Sequence, residues 1–286
     1  MTRGLRAQWR RRHEQMLQRE KDLLHFPGPP TVLRYYNSFT SFFRIHAAWE
    51  YAACRPGDRV LLVGDGGGKD YWYFAWQGVR CEAVDVAEQA LLPGVIIADI
   101  SAGELPFAPE TFDAIVMCDV LEHIYNDCQA LANVHRLLKP AGRLVLSGPY
   151  WHDFPEHHVR LHSPRIVERM LQHHGFRVES ITCRGFLVGF YRVVHPVFLF
   201  LHYLLFQAIG RHDALSWNRR FYRWIFRIQS RPWVPYLDRR LWGMRGGLNG
   251  YVLRAAKTDC KTFDAVAANR AAFTNMGLDR SHSVNP

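Results

Sequence analysis

The sequence predicts an α/β fold built on an open, doubly wound and mostly parallel sheet. Three observations support this prediction. Short apolar runs alternate with stretches of helical periodicity from about residue 58 to 186, a glycine-rich turn follows the first apolar run, and an acidic residue closes each of the next two. Such alternation is typical of parallel strands, because each strand must be reached through a long crossover connection that is usually a helix.

The individual elements follow from this pattern. The helical stretch 127–139 is stopped by Pro140 and Gly142, and the stretch 163–175 opens with a serine cap and a proline and ends at a glycine. The predicted strands are 59–64, 81–86, 94–100, 112–120, 142–148 and 251–257.

Composition shifts divide the chain into five segments. Residues 26–30, FPGPP, end a first helix and so mark an arm that precedes the sheet. The predicted segments are a helical arm and cap (1–57), the core (58–186), an apolar and amphipathic helical insertion (187–245), the last strand of the core (246–258) and a polar tail (259–286).

Composition also limits the class of protein. With 48% hydrophobic residues among 286, the chain can bury a large core, so disorder is not expected for most of it. The net charge of +10 favours an anionic partner without choosing between nucleic acid, an acidic membrane and a phosphorylated substrate. The six cysteines include no CxxC pair and the amino terminus is too polar for a signal peptide, so we expect a cytoplasmic protein.

The stretch LLVGDGGGKD at 61–70 has three competing interpretations. A phosphate-binding P-loop would need glycine where Val63 stands and Ser or Thr where Asp70 stands, and a dinucleotide fingerprint would need Gly or Ala in place of Lys69. The spacing that remains, Gly64-x-Gly66-x-Gly68 after a strand, lets the backbone turn tightly and approach a ligand closely. A glycine turn without a ligand is the alternative.

Two acidic residues favour a nucleoside ligand at this turn. Asp85 closes the second strand about twenty residues beyond the glycines, where a carboxylate can accept hydrogen bonds from ribose hydroxyls. Asp99 closes the third strand and can accept a hydrogen bond from an adenine amine, with a backbone contact from Ile100. Together with the glycines they predict an adenosine site.

Three runs in this region resemble one enzyme family. VLLVGDGGGKD, ADISAGELPFAPETFDAIVMCDVLEHI and LANVHRLLKPAGRLVLSGP resemble class I S-adenosylmethionine-dependent methyltransferases, most closely the type 11 or quinone-type subgroup, over roughly residues 58–185. The resemblance implies S-adenosylmethionine as the cofactor. It also implies a seven-stranded sheet with an antiparallel last strand, which 251–257 would supply.

The resemblance further implies which residues meet the cofactor. The glycines would approach its methionyl and adenosyl parts, Asp85 would hold the ribose and Asp99 would meet adenine. In one departure, Leu62 stands where the family usually has an acidic residue, and Asp65 or Asp70 is the conjectured replacement. The predicted cofactor-binding residues are Gly64, Asp65, Gly66, Gly68, Asp85, Val86, Asp99, Ile100, Cys118 and Asp119.

The candidate catalytic residues are histidines. Methyl transfer from a sulfonium depends mainly on alignment and on exclusion of water, so no metal is expected, and a hydroxyl acceptor would be helped by a general base. His123 lies just beyond the fourth strand, although a role in local packing is an equally good interpretation. His152 and His157 follow the fifth strand, where this family commonly places substrate contacts.

The insertion 187–245 predicts an apolar partner. Charged residues and a proline interrupt its apolar stretch, so a transmembrane helix is not favoured. In 217–228, a Trp-rich face lies beside an Arg-rich face, which suits either peripheral contact with an anionic membrane or a lid over the acceptor pocket.

These features together predict a methyltransferase. We expect it to transfer a methyl group, to oxygen rather than nitrogen or carbon, on a hydrophobic or lipid-linked small molecule. The alternatives are a nucleic-acid methyltransferase, for which no Asn-Pro-Pro-Tyr-like motif is present, and a non-catalytic S-adenosylmethionine-binding scaffold.

Overall fold

A single seven-stranded sheet organises the protein. The computed structural model describes residues 3–36, 39–87, 92–149, 158–183, 223–224, 227–228, 231 and 250–258. The strands are β1 (Arg59–Val63), β2 (Arg80–Asp85), β3 (Ile96–Ile97), β4 (Phe112–Cys118), β5 (Leu138–Gly148), β6 (Phe176–Cys183) and β7 (Tyr251–Lys257). The helices are α1 (Arg3–Leu24), α2 (Leu33–Tyr36), α3 (Phe39–Ala52), α4 (Lys69–Trp76), α5 (Asp127–Leu137) and α6 (Pro164–His173).

The strand order is β3-β2-β1-β4-β5-β7-β6. β1 pairs in parallel with both β2 and β4, whereas β7 lies antiparallel between β5 and β6. This confirms the predicted fold class and the antiparallel last strand. Because the chain order reverses between β1 and β4, a crevice is expected at the carboxyl ends of these two strands.

Alternate residues of each central strand face two separate cores. On β1, Val60 and Leu62 join the core that contains α3 and α4, whereas Leu61 and Val63 join the core that contains α5 and α6. All four side chains are buried, which explains why this strand is apolar without alternation.

The N-terminal arm packs directly on α4. Phe26 makes an edge-to-face contact with Trp76, with ring centroids 5.5 Å apart, and the Tyr36 hydroxyl donates to the Lys69 carbonyl at 3.0 Å. These contacts place the arm against the helix that follows the glycine turn.

The structure differs from the sequence prediction mainly at strand ends. β6 was not among the predicted strands, although Phe176–Cys183 pairs along its length with β7. β4 ends at Cys118 rather than residue 120 because Asp119 adopts a left-handed conformation, with φ of 58°. β3 is limited to two residues, and β5 begins earlier than predicted, with a register shift opposite residues 112–114.

Most of the insertion 187–245 and all of the tail 259–286 lie outside the described residues. Within the described part of the chain, we find no helix that combines the length and the apolar character needed to cross a membrane.

Candidate functional site

The glycine turn lies at the carboxyl end of β1. Gly64 and Gly68 both have φ of +69°, a conformation that favours glycine. A Cβ added at Gly64 would lie 2.5 Å from Cγ2 of Val120, which follows β4. The turn therefore needs glycine both for its backbone conformation and for its close approach to the neighbouring strand end.

Asp65, between the first two glycines, caps helix α4. Its Oδ2 accepts hydrogen bonds from the backbone N–H groups of Asp70, at 3.0 Å, and Tyr71, at 2.6 Å. Its buried Oδ1 has no hydrogen-bond partner among the described residues. Burial, together with the charge of Asp70, raises the pKa of Asp65 to about 8.

Asp85 lies beside the same turn, at the end of β2. Its Oδ1 accepts a hydrogen bond from the Ala87 N–H at 2.9 Å, and its Oδ2 would lie 3.0 Å from a Cβ added at Gly66. The next side chain, Val86, is 68% exposed. A carboxylate can accept hydrogen bonds from ribose hydroxyls, and an exposed apolar side chain next to it can pack against an adjoining base.

Asp99 and Ile100 have different surroundings. Asp99 is exposed, and its Oδ1 accepts hydrogen bonds from both the N–H and the hydroxyl of Ser101. Ile100 is buried, and its carbonyl accepts a hydrogen bond from Nδ2 of Asn133 on α5 at 2.8 Å. The Asp99 carboxylate is therefore exposed to solvent, whereas the Ile100 carbonyl already has a donor within the protein.

Cys118 and Asp119 lie at the end of β4. Burial raises the pKa of the Cys118 thiol to about 11, so it stays protonated near neutral pH. Asp119 ends the extended backbone of β4 with a left-handed conformation, and its Oδ1 accepts a hydrogen bond from the Ser147 hydroxyl at 3.1 Å. A left-handed non-glycine residue at a strand end is a form of backbone strain often found at functional sites.

Leu62 stands where the resembling family usually has an acidic residue, and Asp70 is one of its two conjectured replacements. Leu62 is fully buried in the core that contains α3 and α4. Nη1 of Arg44 on α3 donates to both oxygens of Asp70, at 3.0 and 2.8 Å. Of the two conjectured replacements, Asp70 thus already has a charged partner, whereas Asp65 has an unmatched oxygen.

A cluster of acid–base groups lies beyond β4. His123 ends the short 3-10 turn Leu121–His123, and its ring centroid lies 4.8 Å from that of His158. The potential ligand atoms of Glu122, His123 and His158 all lie within 4.8 Å of one another. One carboxylate and two imidazoles can share a proton or hold a divalent cation.

His158 is held near His123 by the chain that follows it. The N–H of Val159 donates to the Glu122 carbonyl at 2.8 Å. Further along, Arg160 and His162 both contact Oδ2 of Asp127, at 2.9 and 3.1 Å. The predicted His152 and His157, by contrast, lie outside the described residues.

Two residues of this region, Arg44 and Glu122, were not predicted from the sequence. Arg44 lies within the apolar helix FTSFFRIHAAWEYA, and an isolated charge in such a helix is a signal for a buried ionic partner. Glu122 became notable only when folding brought it close to His123 and His158.

The strand order, the glycine turn and the acidic strand ends define a class I methyltransferase fold. Residues 61–146 match the family model described as "Methyltransferase domain", of type 11. Over this segment the chain is therefore similar to type 11 methyltransferase domains, which confirms the resemblance found in the sequence.

Two curated relatives have names that refer to quinone biosynthesis. The chain is 33% identical over 113 residues to a demethylmenaquinone methyltransferase of Tropheryma whipplei, covering 35% of this chain and 47% of that protein. It is 33% identical over 122 residues to the ubiquinone/menaquinone biosynthesis C-methyltransferase UbiE of Teredinibacter turnerae, covering 36% and 49%. The chain thus spans about half the length of these relatives.

The fold is also similar to that of a solved protein, the (4+2)-cyclase SpnF. The TM-score is 0.51 at 15% identity, covering 75% of this chain and 79% of that one. Since that protein is named a cyclase, the fold alone does not determine the reaction.

The residues present fit S-adenosylmethionine, the cofactor implied by the family resemblance. Asp65 offers an unmatched buried oxygen for an ammonium group, and the glycine turn leaves room at Gly67, where a Cβ would meet only the Tyr35 hydroxyl, at 3.9 Å. Asp85 and the exposed Val86 suit a ribose and a base. The ammonium, the ribose and the base of the cofactor therefore each have a chemically suited group at the carboxyl ends of β1 and β2.

Proposed function

We propose that this protein is an S-adenosylmethionine-dependent methyltransferase whose acceptor is a small apolar molecule of the quinol type. One observation carries the proposal. Asp65, Asp85 and Asp119 are carried by the carboxyl ends of β1, β2 and β4, around a turn that excludes side chains at Gly64. A crevice that is lined by carboxyl groups, and whose backbone a ligand can approach closely, suits a nucleoside that carries a positive charge.

In this proposal, the bound cofactor supplies an electrophilic methyl group on a sulfonium. The protein supplies placement: the rigid turn, which Asp65 fixes to the start of α4, and Asp85 at the neighbouring strand end. Alignment of this kind accounts for a large part of the rate in an in-line displacement. Charge is neutralised in this reaction, so a water-poor site also favours it.

His123 and His158 are proposed to handle the acceptor's proton. A phenolic oxygen becomes a stronger nucleophile when an imidazole removes its proton, and deprotonation also activates the ring carbons beside it. Glu122 is buried beside the two imidazoles and can stabilise the charge that a histidine gains.

The names of the curated relatives support an apolar acceptor of the quinone type. The sequence favours transfer to oxygen, whereas the name of the UbiE relative specifies transfer to carbon. A quinol offers both sites. Two-dimensional NMR of the purified product would decide between them, because O-methyl and C-methyl groups differ clearly in carbon chemical shift.

The test of function uses cofactor with an isotope-labelled methyl group and cell extract separated into lipid and aqueous fractions. We expect label to enter a lipid-soluble product with the wild-type protein and much less with His123→Ala. S-adenosylhomocysteine should bind both proteins equally. If no species gains label while the cofactor still binds, the catalytic proposal is wrong and a scaffold role is favoured.

A chelator distinguishes proton transfer from metal assistance in the Glu122–His123–His158 cluster. We expect EDTA to leave the wild-type rate unchanged, because in this proposal the three side chains transfer a proton and bind no cation. Loss of activity with EDTA and its recovery with added Mg²⁺ or Zn²⁺ would assign the cluster to a cation instead.

We also propose a cytoplasmic protein that contacts an anionic membrane surface through 187–245. Of this insertion the structure describes residues 223–224, 227–228 and 231, where Trp224 is 58% exposed beside Arg223 and Arg227. An exposed Trp between arginines supports binding at the headgroup region. Sedimentation with anionic vesicles should recover the wild type but much less of Trp224→Ser. If neutral vesicles recover as much wild-type protein as anionic vesicles do, the proposed attraction to an anionic surface is wrong.

A further inference from the structure

Two buried ionisable groups near the glycine turn, one acidic and one basic, each have one unmatched atom. The first is Asp65, whose Oδ2 is committed to capping α4 while Oδ1 has no partner in the described chain. A carboxylate oxygen left in this condition is costly, since it has lost its water without gaining a donor.

The second group is Arg44, on α3 of the N-terminal arm. Its Nη1 is bound to both oxygens of Asp70, and its Nε lies 3.6 Å from Oδ2 of Asp119. Its Nη2 is buried and makes no hydrogen bond to any residue that the structure describes. Nη2 has donor hydrogens that a second anion can accept.

Asp70 links the two groups, because its N–H donates to Asp65 while its carboxylate accepts from Arg44. One guanidinium therefore lies among three carboxylates, those of Asp65, Asp70 and Asp119. In a buried setting, charge–charge interactions are much stronger than in water. When all three carboxylates are ionised, this guanidinium leaves two negative charges unbalanced, and its Nη2 is also an unused donor for one further anion.

We propose that Asp65 and Arg44 recognise the amino-acid end of the cofactor as a zwitterion, with Asp65 Oδ1 accepting from its ammonium group and Arg44 Nη2 donating to its carboxylate. This inference rests on the proposed function. Leu62 stands where the family usually has an acidic residue, and in this proposal Asp65 and Arg44 together replace that residue. Arg44 lies outside residues 61–146, the region that matches the family model.

The N-terminal arm would then control access to this subsite. Tyr36 of the arm binds the Lys69 carbonyl beside the turn, and the Tyr35 hydroxyl lies 3.9 Å from a Cβ added at Gly67. Because both unmatched atoms are shielded from solvent, admission of the amino-acid end requires a local displacement of the groups that cover them.

Ligands that differ only at the amino-acid end test the proposal. S-adenosylhomocysteine carries the ammonium and carboxylate, whereas 5′-methylthioadenosine lacks both. We expect Asp65→Asn and Arg44→Lys each to weaken S-adenosylhomocysteine binding by about tenfold or more, and 5′-methylthioadenosine binding by no more than about twofold. Isothermal titration calorimetry measures both affinities.

Arg143→Lys is the matched control for a loosened α3. Arg143 Nη1 donates to the carbonyls of Ala52 and Ala53 at the far end of that helix, at 2.7 and 2.9 Å. This variant should leave both affinities unchanged. If Arg44→Lys and Asp65→Asn weaken both ligands equally, or neither ligand, the pair is structural and the inference is wrong. Failure of wild-type protein to bind either ligand overturns the proposed function and this inference with it.

Proton release gives a second readout. The raised pKa of Asp65 leaves its carboxyl protonated near neutral pH, with Arg44, Lys69 and Asp70 as the neighbouring charges. An ammonium that binds Oδ1 would displace this proton to solvent. Titrations in Tris and in phosphate should therefore differ in binding enthalpy for S-adenosylhomocysteine but not for 5′-methylthioadenosine. The difference should disappear in Asp65→Asn, and identical enthalpies in wild type would contradict the Asp65 contact.

Discussion

Arg44 on α3 and Asp70 on α4 form a buried ion pair, with Nη1 2.8 Å from Oδ2 and 3.0 Å from Oδ1. Both side chains are about 3% exposed. The pair joins the N-terminal arm to the helix that starts at the glycine turn. It therefore fixes the arm relative to the candidate site, in addition to any role with a ligand.

Breaking this pair from one side should be costly. We expect Asp70→Asn to lower the free energy of unfolding by about 3 kcal/mol, because a buried guanidinium then loses its main counter-charge. Urea unfolding followed by tryptophan fluorescence measures this change. The double variant Arg44→Met, Asp70→Leu should recover more than half of the loss, since it removes both members of the buried pair. A double variant as unstable as Asp70→Asn would show that packing, not charge, dominates here.

Periodicity and turn chemistry predicted most of the sheet because its central strands are apolar runs bounded by glycine and acidic residues. β6 was missed because Phe176–Cys183 mixes polar and apolar residues and is identified chiefly by pairing with β7. The positions of Asp85 and Asp119 at one crevice could be predicted, since the carboxyl ends of parallel strands share an edge. The position of Arg44 next to Asp70 and Asp119 could not be predicted, because it depends on how α3 packs across the sheet.

The Asp65 carboxyl should make stability depend on pH. Burial raises its folded-state pKa to about 8, whereas an unfolded Asp ionises near pH 4. Between these values the folded chain binds more protons than the unfolded chain, so the ionisation of Asp65 lowers stability as pH rises from about 4 to about 8. Asp65→Asn lacks this loss.

We therefore expect Asp65→Asn to be more stable than wild type by about 1–3 kcal/mol near pH 8, and this advantage should shrink towards pH 5. A pKa difference corresponds to roughly 1.4 kcal/mol per unit. The expected gain is smaller than that rule gives, because the Asn amide accepts weaker hydrogen bonds from the start of α4 than a carboxylate does. Urea midpoints across this range measure the difference. An advantage that does not change with pH would contradict the raised pKa.

Gly66 and Gly67 allow a matched test of the turn. A Cβ at Gly66 would lie 3.0 Å from Oδ2 of Asp85, whereas the nearest atom to a Cβ at Gly67 is the Tyr35 hydroxyl at 3.9 Å. Gly66→Ala should shift the Asp85 carboxylate and weaken binding of S-adenosylhomocysteine by about tenfold, while Gly67→Ala should change it little. Equal affinities for the two variants, measured by calorimetry, would remove Asp85 from the site.

His162 should produce a pH dependence of the opposite sign to that of Asp65. Its ring is buried against Asp127, and burial lowers its pKa below the ordinary histidine value even though Asp127 opposes this effect and Arg160 adds to it. Below the ordinary value of about 6.5, the unfolded chain takes up protons that the folded chain does not, so stability falls as the pH drops.

This loss on acidification should be smaller in His162→Gln, which can still donate to Asp127. We expect urea midpoints of wild type to fall more than those of the variant from about pH 7 to about pH 5. The exposed His25, replaced by Asn, is the control and should follow wild type. Because His162 anchors the segment that carries His158, methyl transfer by His162→Gln should also fall more than its cofactor affinity. A variant whose stability parallels wild type at every pH would show that folding does not lower the pKa of His162.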